Sequence, residues 1–300
     1  MTNLKNLNNK YINNFSFKNI IIFIILFLSL IFSFNYIYNN TLPCYNDTSN
    51  NGIKLPIIMY HHISKSESRL NDFTIKPEQF EKDMLYLKEK GYETISVKQL
   101  LDYVNNNEPL PDKPVMITFD DGHESFNEYI YPILKKYDLK AVLSVVGSYT
   151  DTYTENEDHN INYSYLTWKQ INELADSGIV EIGNHTYDLH TIDKGRKGCS
   201  KNPGEDVEQY RNFLTKDVLK LQDKITNYTG SNLKIFTYPF GRFSKETKEI
   251  IKDLDFSVIF NCAQVVNIID RNNPDILYNL GRFNRPNGIS SEQFFKNIIE

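Results

Sequence analysis

Cysteine is scarce in this sequence. Cys44, Cys199 and Cys262 are three residues in 300, and their spacings match neither a zinc ribbon nor a redox pair. Disulfides therefore do not organise the fold, although a Cys44–Cys199 bond stays open. Cys262 ends the apolar run 256–262 and reads as a small buried hydrophobe. An excess of basic charge is absent too: the formal net charge is −5, which argues against nucleic acid as a partner and leaves a neutral polysaccharide open. There is no internal repeat. Aromatics, by contrast, are plentiful, with 20 Tyr and 19 Phe, and most of them interleave with strand-like runs.

One long stretch lacks any charge. Ile20–Tyr38 is almost wholly apolar, follows Lys5, Lys10 and Lys18, and as a helix would span about 28 Å, close to the hydrocarbon thickness. No A-x-A-like cleavage triplet follows, and Thr-Leu-Pro before Cys44 is a poor lipoprotein site. The expectation is an uncleaved, single-pass transmembrane anchor: a cytoplasmic tail at 1–19, a span at 20–38, a polar linker at 39–54 and an extracytoplasmic domain at 55–300.

From Leu55 onward short apolar runs alternate with helical patterns. Strands are predicted at 56–63, 93–97, 115–119, 141–146, 180–183, 235–239, 256–261 and 277–283. Helices are predicted at 77–90, 97–105, 125–137, 167–177, 206–229, 245–254 and 290–299, with Ser125 and Ser244 as caps and Gly91 and Gly178 as stops. Apolar strands separated by helices indicate a parallel sheet covered on both faces. The number of units favours an α/β barrel of the (β/α) kind over an open doubly wound sheet.

In such a barrel the chemistry sits where strands end. Tyr60-His61-His62, Asp120-Asp121-Gly122, Asn184-His185 with His190, and Tyr238-Pro239-Phe240-Gly241 all follow predicted strands, and Arg282 lies on the last one. Two carboxylates and two histidines are a ligand set for zinc and similar divalent metals. His185 and His190 stand five apart, which no single helix face presents, so a loop must curl back between them. Asp120 and Asp121 are adjacent and leave a strand end at different angles, so one can hold a metal while the other serves as base. Asp-Asp-Gly alone is equally ordinary turn chemistry. A metal-activated water would suit amide hydrolysis, which also needs a general acid for the departing amine.

Together these residues resemble the polysaccharide deacetylase family, with its NodB homology domain (carbohydrate esterase family 4), over residues 55–300. Thr118-Phe119-Asp120-Asp121-Gly122 is similar to the family's first motif, and 185–190 to its H-[S/T]-x-x-x-H motif. The resemblance implies a distorted (β/α)7 barrel with Asp120 as catalytic base and one divalent metal on Asp121, His185 and His190. Zn²⁺ is the expected ion, with Co²⁺ or Ni²⁺ as alternatives. Tyr238, Pro239 and Phe240 resemble a motif that walls the substrate groove. That motif often carries an Arg where this chain has Thr237; Arg282 is the candidate to replace it beside Asp120. Many members take their general acid from a C-terminal His, and this chain has none after His190. The run 56–63 instead looks like the branch of poly-N-acetylglucosamine deacetylases, which implies His61 as the acid.

The resulting expectation is a membrane-anchored monomer that removes N-acetyl groups from N-acetylglucosamine-type residues of a cell-surface or wall polysaccharide. A non-catalytic carbohydrate-binding member of the fold, a small-molecule amidase and an O-acetyl esterase are the competing readings. An intact Asp–Asp–His–His set counts against the first and Ile20–Tyr38 against the second.

Overall fold

The computed structural model describes residues 52–192 and 195–299. The expected tail, anchor and nearly all of the linker, with Cys44, lie outside these residues. No helix among the described residues is long and apolar enough to cross a membrane.

The strands are β1 (Ile53–Leu55), β2 (Ile57–Tyr60), β3 (His62–Ile63), β4 (Thr74–Ile75), β5 (Glu93–Thr94), β6 (Pro114–Phe119), β7 (Ala141–Val145), β8 (Val180–Asn184), β9 (Ile235–Thr237), β10 (Val258–Phe260), β11 (Asn267–Ile269) and β12 (Phe283–Asn284). The α-helices are α1 (Pro77–Glu89), α2 (Val97–Asn106), α3 (Tyr131–Tyr137), α4 (Gly147–Glu155), α5 (Trp168–Asp176), α6 (Val207–Thr229), α7 (Lys245–Asp253) and α8 (Ser291–Ile299). The order β10-β9-β8-β7-β6-β2-β12 makes a curled, wholly parallel half-barrel sheet, with β5 against the start of β6. Residues 280–284 touch both ends of it: Leu280 bridges Phe260 and Phe283 pairs with Ile58. Between β8 and β9 only Asn184 and Phe236 pair, so the wall is weak there.

Side-chain alternation divides each strand. Ile58, Ile117, Leu143 and Ile182 face outward onto Phe80, Ile130, Trp168 and Phe295 of the surrounding helices. Ile57, Met116 and Val142 face inward with Ile235 and Val258. Above this apolar floor lies a polar layer, where Thr118 Oγ1 donates to Ile58 O (3.0 Å) and the hydroxyls of Ser144 and Thr237 meet at 2.7 Å. The next inward positions along β2, β6 and β8 are His61, Asp120 and His185. The strand period thus delivers these three to the same rim.

Helix ends follow the expected chemistry at Ser244, whose hydroxyl accepts from Thr247 N, and at Gly91 and Gly178, both in the left-handed region. Ser125 departs from expectation. It caps no helix; its Oγ accepts from Ile63 N, and residues 126–130 wind as a π-helix before α3. The predicted strand 56–63 breaks at His61, because His62 and Ile63 leave the sheet to pair with Thr74 and Ile75. The predicted strand 277–283 is largely irregular: Leu277 and Tyr278 end a 3-10 turn (Pro274–Tyr278), Leu280 makes a single bridge, and only Phe283 enters a strand. The strand predicted at 93–97 stops at Thr94, since Ser96 caps α2 in a reciprocal box with Gln99. Ile53–Leu55, read as the junction of linker and domain, forms an antiparallel pair with Asn267–Ile269.

A buried ionic network fixes β2 from outside. Asp83 on α1 accepts from Arg285 Nε (2.8 Å) and Nη2 (3.1 Å), from Ser291 Oγ (2.7 Å) and from Tyr60 Oη (3.1 Å). With all its partners satisfied, this buried charge is tolerable. It anchors Tyr60 outward and so points His61 inward.

Candidate metal centre and catalytic rim

Asp120 arrives on the inner face by alternation; Asp121 would point away. Left-handed backbone at Asp121 (φ 76°) and Gly122 (φ 80°) turns the chain and brings the second carboxylate back to the rim. For a non-glycine residue such a conformation costs roughly 1–3 kcal/mol and persists only where the surroundings enforce it. Gly122 also meets a packing limit, since a Cβ there would lie 3.1 Å from Val145 Cγ1.

The histidine loop curls as its spacing requires. Thr186 is left-handed (φ 70°), and Asn184 Oδ1 accepts from Thr186 N (3.0 Å). The Asp217 carboxylate, from α6, accepts from Tyr187 N (2.8 Å) and Asp188 N (2.9 Å). Burial pushes Asp217 up to about 6 against those two donors. His185 Nδ1 donates to Thr237 O at 2.9 Å, which leaves Nε2 as the free nitrogen. His185 Nε2 lies 3.6 Å and His190 Nε2 3.1 Å from Asp121 Oδ1. One donor atom from each of Asp121, His185 and His190 fits within a 4.8 Å span.

The donor set suits a divalent metal on two counts. Asp121 Oδ1 is buried and accepts no hydrogen bond, an orphan that a cation would satisfy. His185 is lowered to about 4 by burial and remains neutral, as a ligand must be. Burial would raise Asp121, but the imidazoles of His123 and His190 beside it outweigh burial and hold the carboxylate well below its usual range. His190 is lowered by burial and raised more by Asp121, so its net shift is upward.

Asp120 is buried against Arg282, whose Nη1 and Nη2 donate to Oδ1 and Oδ2 at 2.7 and 2.8 Å. Arg282 Nε donates to Asn261 O at 3.1 Å, so the fork is held rigidly. Burial alone would raise Asp120; Arg282 first, then His185, brings it below the usual carboxylate value. Thr237, where an Arg was looked for, hydrogen-bonds Ser144 instead. His61 Nε2 lies 3.9 Å from Asp120 Oδ2, with Phe73 edge-on to its ring at 5.0 Å. Burial lowers His61 despite both aspartates. His62 faces the other way, with Nε2 3.0 Å from Ile161 O.

Of the groove-wall residues, only Phe240 opens to solvent: it is 44 % exposed and its ring lies tilted against His190 at 4.4 Å. Tyr238 and Pro239 are buried, Tyr238 against Phe243. Beside Phe240 and His190 opens a cavity of about 410 Å³, lined also by Tyr149, Asp188 and Ile192. One reading of the sequence needs correction. Cys262 is only partly buried and lies beside Arg282 Nη2 (3.9 Å), because residue 262 lies just past the end of β10 at the rim. His123, which directly follows the Asp120-Asp121-Gly122 turn, stands 3.5 Å from Asp121 Oδ2, because the left-handed turn folds it back. Phe73 was not anticipated at all; only the β3–β4 pairing brings it to His61.

Residues 107–259 match the family model described as polysaccharide deacetylase. The chain belongs to that family. It is 26 % identical over 247 residues to the poly-β-1,6-N-acetyl-D-glucosamine N-deacetylase of Escherichia coli strain K12, covering 73 % of this chain and 37 % of that one. It is 27 % identical over 187 residues to the protein of the same name from Staphylococcus aureus strain N315, covering 62 % and 60 %. The chain thus spans less than two thirds of these relatives' lengths. Among solved structures it resembles the de-N-acetylase from Aggregatibacter actinomycetemcomitans, with a TM-score of 0.68, 27 % identity and coverage of 82 % of this chain and 99 % of that one.

Proposed function

We propose that this protein is a polysaccharide N-deacetylase that hydrolyses the acetamide of N-acetylglucosamine-type residues in a cell-surface polymer and releases acetate. The observation that carries the reading is the convergence on one rim of Asp121, His185 and His190 with the Arg282-held Asp120 and with His61. The names of the E. coli and S. aureus relatives favour a β-1,6-linked polymer as substrate.

Asp121, His185 and His190 would hold one divalent metal, Zn²⁺ by preference, with Co²⁺ or Ni²⁺ as alternatives. When bound, such an ion lowers the pKa of water and polarises a carbonyl. Asp120, ionised and fixed by Arg282, takes the proton from the attacking water. His61 gives a proton to the departing amine nitrogen. Since burial keeps His61 neutral near pH 7, it must gain that proton during the cycle, and Asp120 Oδ2 at 3.9 Å is the near source. Phe240 offers an apolar wall to the sugar. We further place the domain among distorted (β/α)7 barrels and read Ile20–Tyr38 as a membrane anchor that leaves the domain, as a monomer, outside the cell.

The test measures acetate and free amine after incubating the protein with β-1,6-linked N-acetylglucosamine oligomers, peptidoglycan and an acetylated xylan. Amine release from the first is expected. Asp120→Asn should keep metal and lose roughly 10²–10⁴-fold in rate. Acetate without free amine would make the protein an O-acetyl esterase, and no release from any polymer would favour a binding role.

A further inference from the structure

His123 follows two left-handed residues, Asp121 and Gly122, and its backbone is pinned by an antiparallel bridge to Tyr165. Glu124 N donates to Ser164 O (2.8 Å) and Leu166 N to Gly122 O (2.9 Å), which lock the same turn. The ring is clamped on both sides. It stacks on Tyr165 at 4.7 Å and 26°, and meets His62 at 4.8 Å and 69°. This clamp aims Nε2 at Asp121 Oδ2, 3.5 Å away, on the opposite side of the carboxylate from His185 and His190, which face Oδ1. The tautomer follows from what the other nitrogen meets. Nδ1 is buried without a partner, and a buried lone pair left unmet costs less than a buried N–H left unmet. The proton therefore belongs on Nε2, where a carboxylate oxygen receives it.

We infer that His123 is the positioning partner of Asp121: its Nε2–H donates to Oδ2 and so presents Oδ1 to the two imidazoles as the metal donor. The inference rests on the metal-centre reading above. Partners of this kind orient a ligand before the ion arrives, and their loss typically weakens metal affinity 10–100-fold. The ring stack on Tyr165 is the means of aiming the donor, not its substitute, so stacking and donation can be separated by substitution. His123→Phe keeps an aromatic ring against Tyr165 and lacks the N–H. His123→Gln loses the ring and keeps an N–H at similar reach.

The experiment titrates Zn²⁺ into the chelator-stripped protein in competition with a chromophoric chelator, for the wild type, His123→Phe, His123→Gln and His190→Ala. The expected result is a 10–100-fold loss for His123→Phe and no more than about a threefold loss for His123→Gln, with unchanged metal-free melting temperature for both. Equal loss in the two variants, or His123→Phe within about threefold of wild type, overturns the assignment. Should His123→Phe fail to fold, His123→Leu replaces it: it lacks the ring as His123→Gln does, so any difference between them reads the donor alone. Zn²⁺ bound equally by wild type and His190→Ala would instead refute the metal centre itself, a failure distinct from that of His123.

Discussion

Replacing Arg282 by methionine removes the guanidinium and leaves Asp120 as a buried carboxylate with no counter-charge. The two are 0 % and 3 % exposed and share bonds of 2.7 and 2.8 Å, so water cannot screen the loss. Breaking such a pair from one side costs about 3–5 kcal/mol, against a total stability of roughly 5–15 kcal/mol for a domain. The pH dependence has a definite sign. In the wild type Asp120 is depressed, so its contribution is present above the unfolded carboxylate value and is lost as pH falls through the folded one. In Arg282→Met burial is opposed only by His185 and His61 and raises Asp120, so the penalty is present at neutral pH and relieved as the carboxylate protonates. The gap between the two proteins therefore narrows on acidification. Urea unfolding of metal-free protein between pH 7 and pH 4 measures it. Asp120→Asn added to Arg282→Met should recover stability, because it removes the stranded charge. A loss below about 1 kcal/mol at pH 7 would refute the reasoning, since a loss that small belongs to solvent-screened pairs. So would a double variant no more stable than Arg282→Met.

Metal-free protein should also lose stability as pH falls from 6.5 toward 4. There the unfolded chain protonates His185 and the folded one, with His185 at about 4, does not. The contribution is about 3 kcal/mol, and His185→Gln should flatten that part of the denaturation profile. His61→Ala should lose far more activity on an acetamide than on an aryl acetate ester, whose leaving group needs little protonation; equal loss on both, or a larger amide-specific loss in His62→Ala, would remove His61 from the acid role. Protease added to intact protoplasts should shed the domain if Ile20–Tyr38 is an anchor, and a protected domain would contradict that topology.

The alternation of apolar strands and amphipathic helices was readable because both periods are local. Each strand needs only its own residues to declare which face is apolar. The candidate metal donors were readable for a related reason: Asp120-Asp121-Gly122 and the His185–His190 interval are short motifs at strand ends, and their chemistry is local. Helix α4 was missed because Ser148-Tyr149-Thr150-Asp151 carries no apolar period, although Trp168 Nε1 and Tyr187 Oη both donate to Asp151 and hold it in place.

Folding in three dimensions settled what depends on partners far apart in the chain. Arg282 and Asp120 are 162 residues apart, and only the parallel register of β12 on β2 and of β2 on β6 sets the guanidinium over the carboxylate. The sequence nominated Arg282 but could not give it a fork-to-fork contact. The departure of β3 toward β4 separated His61 from His62 and carried in Phe73. The left-handed turns at Asp121 and Thr186 are equally non-local in origin, since nothing in an Asp or Thr side chain requires positive φ and the packed surroundings must impose it. That turn is also why His123 lies beside Asp121. Motif chemistry is written in neighbouring residues, whereas the aim of each side chain is decided by strand register and by backbone strain that the whole fold sustains.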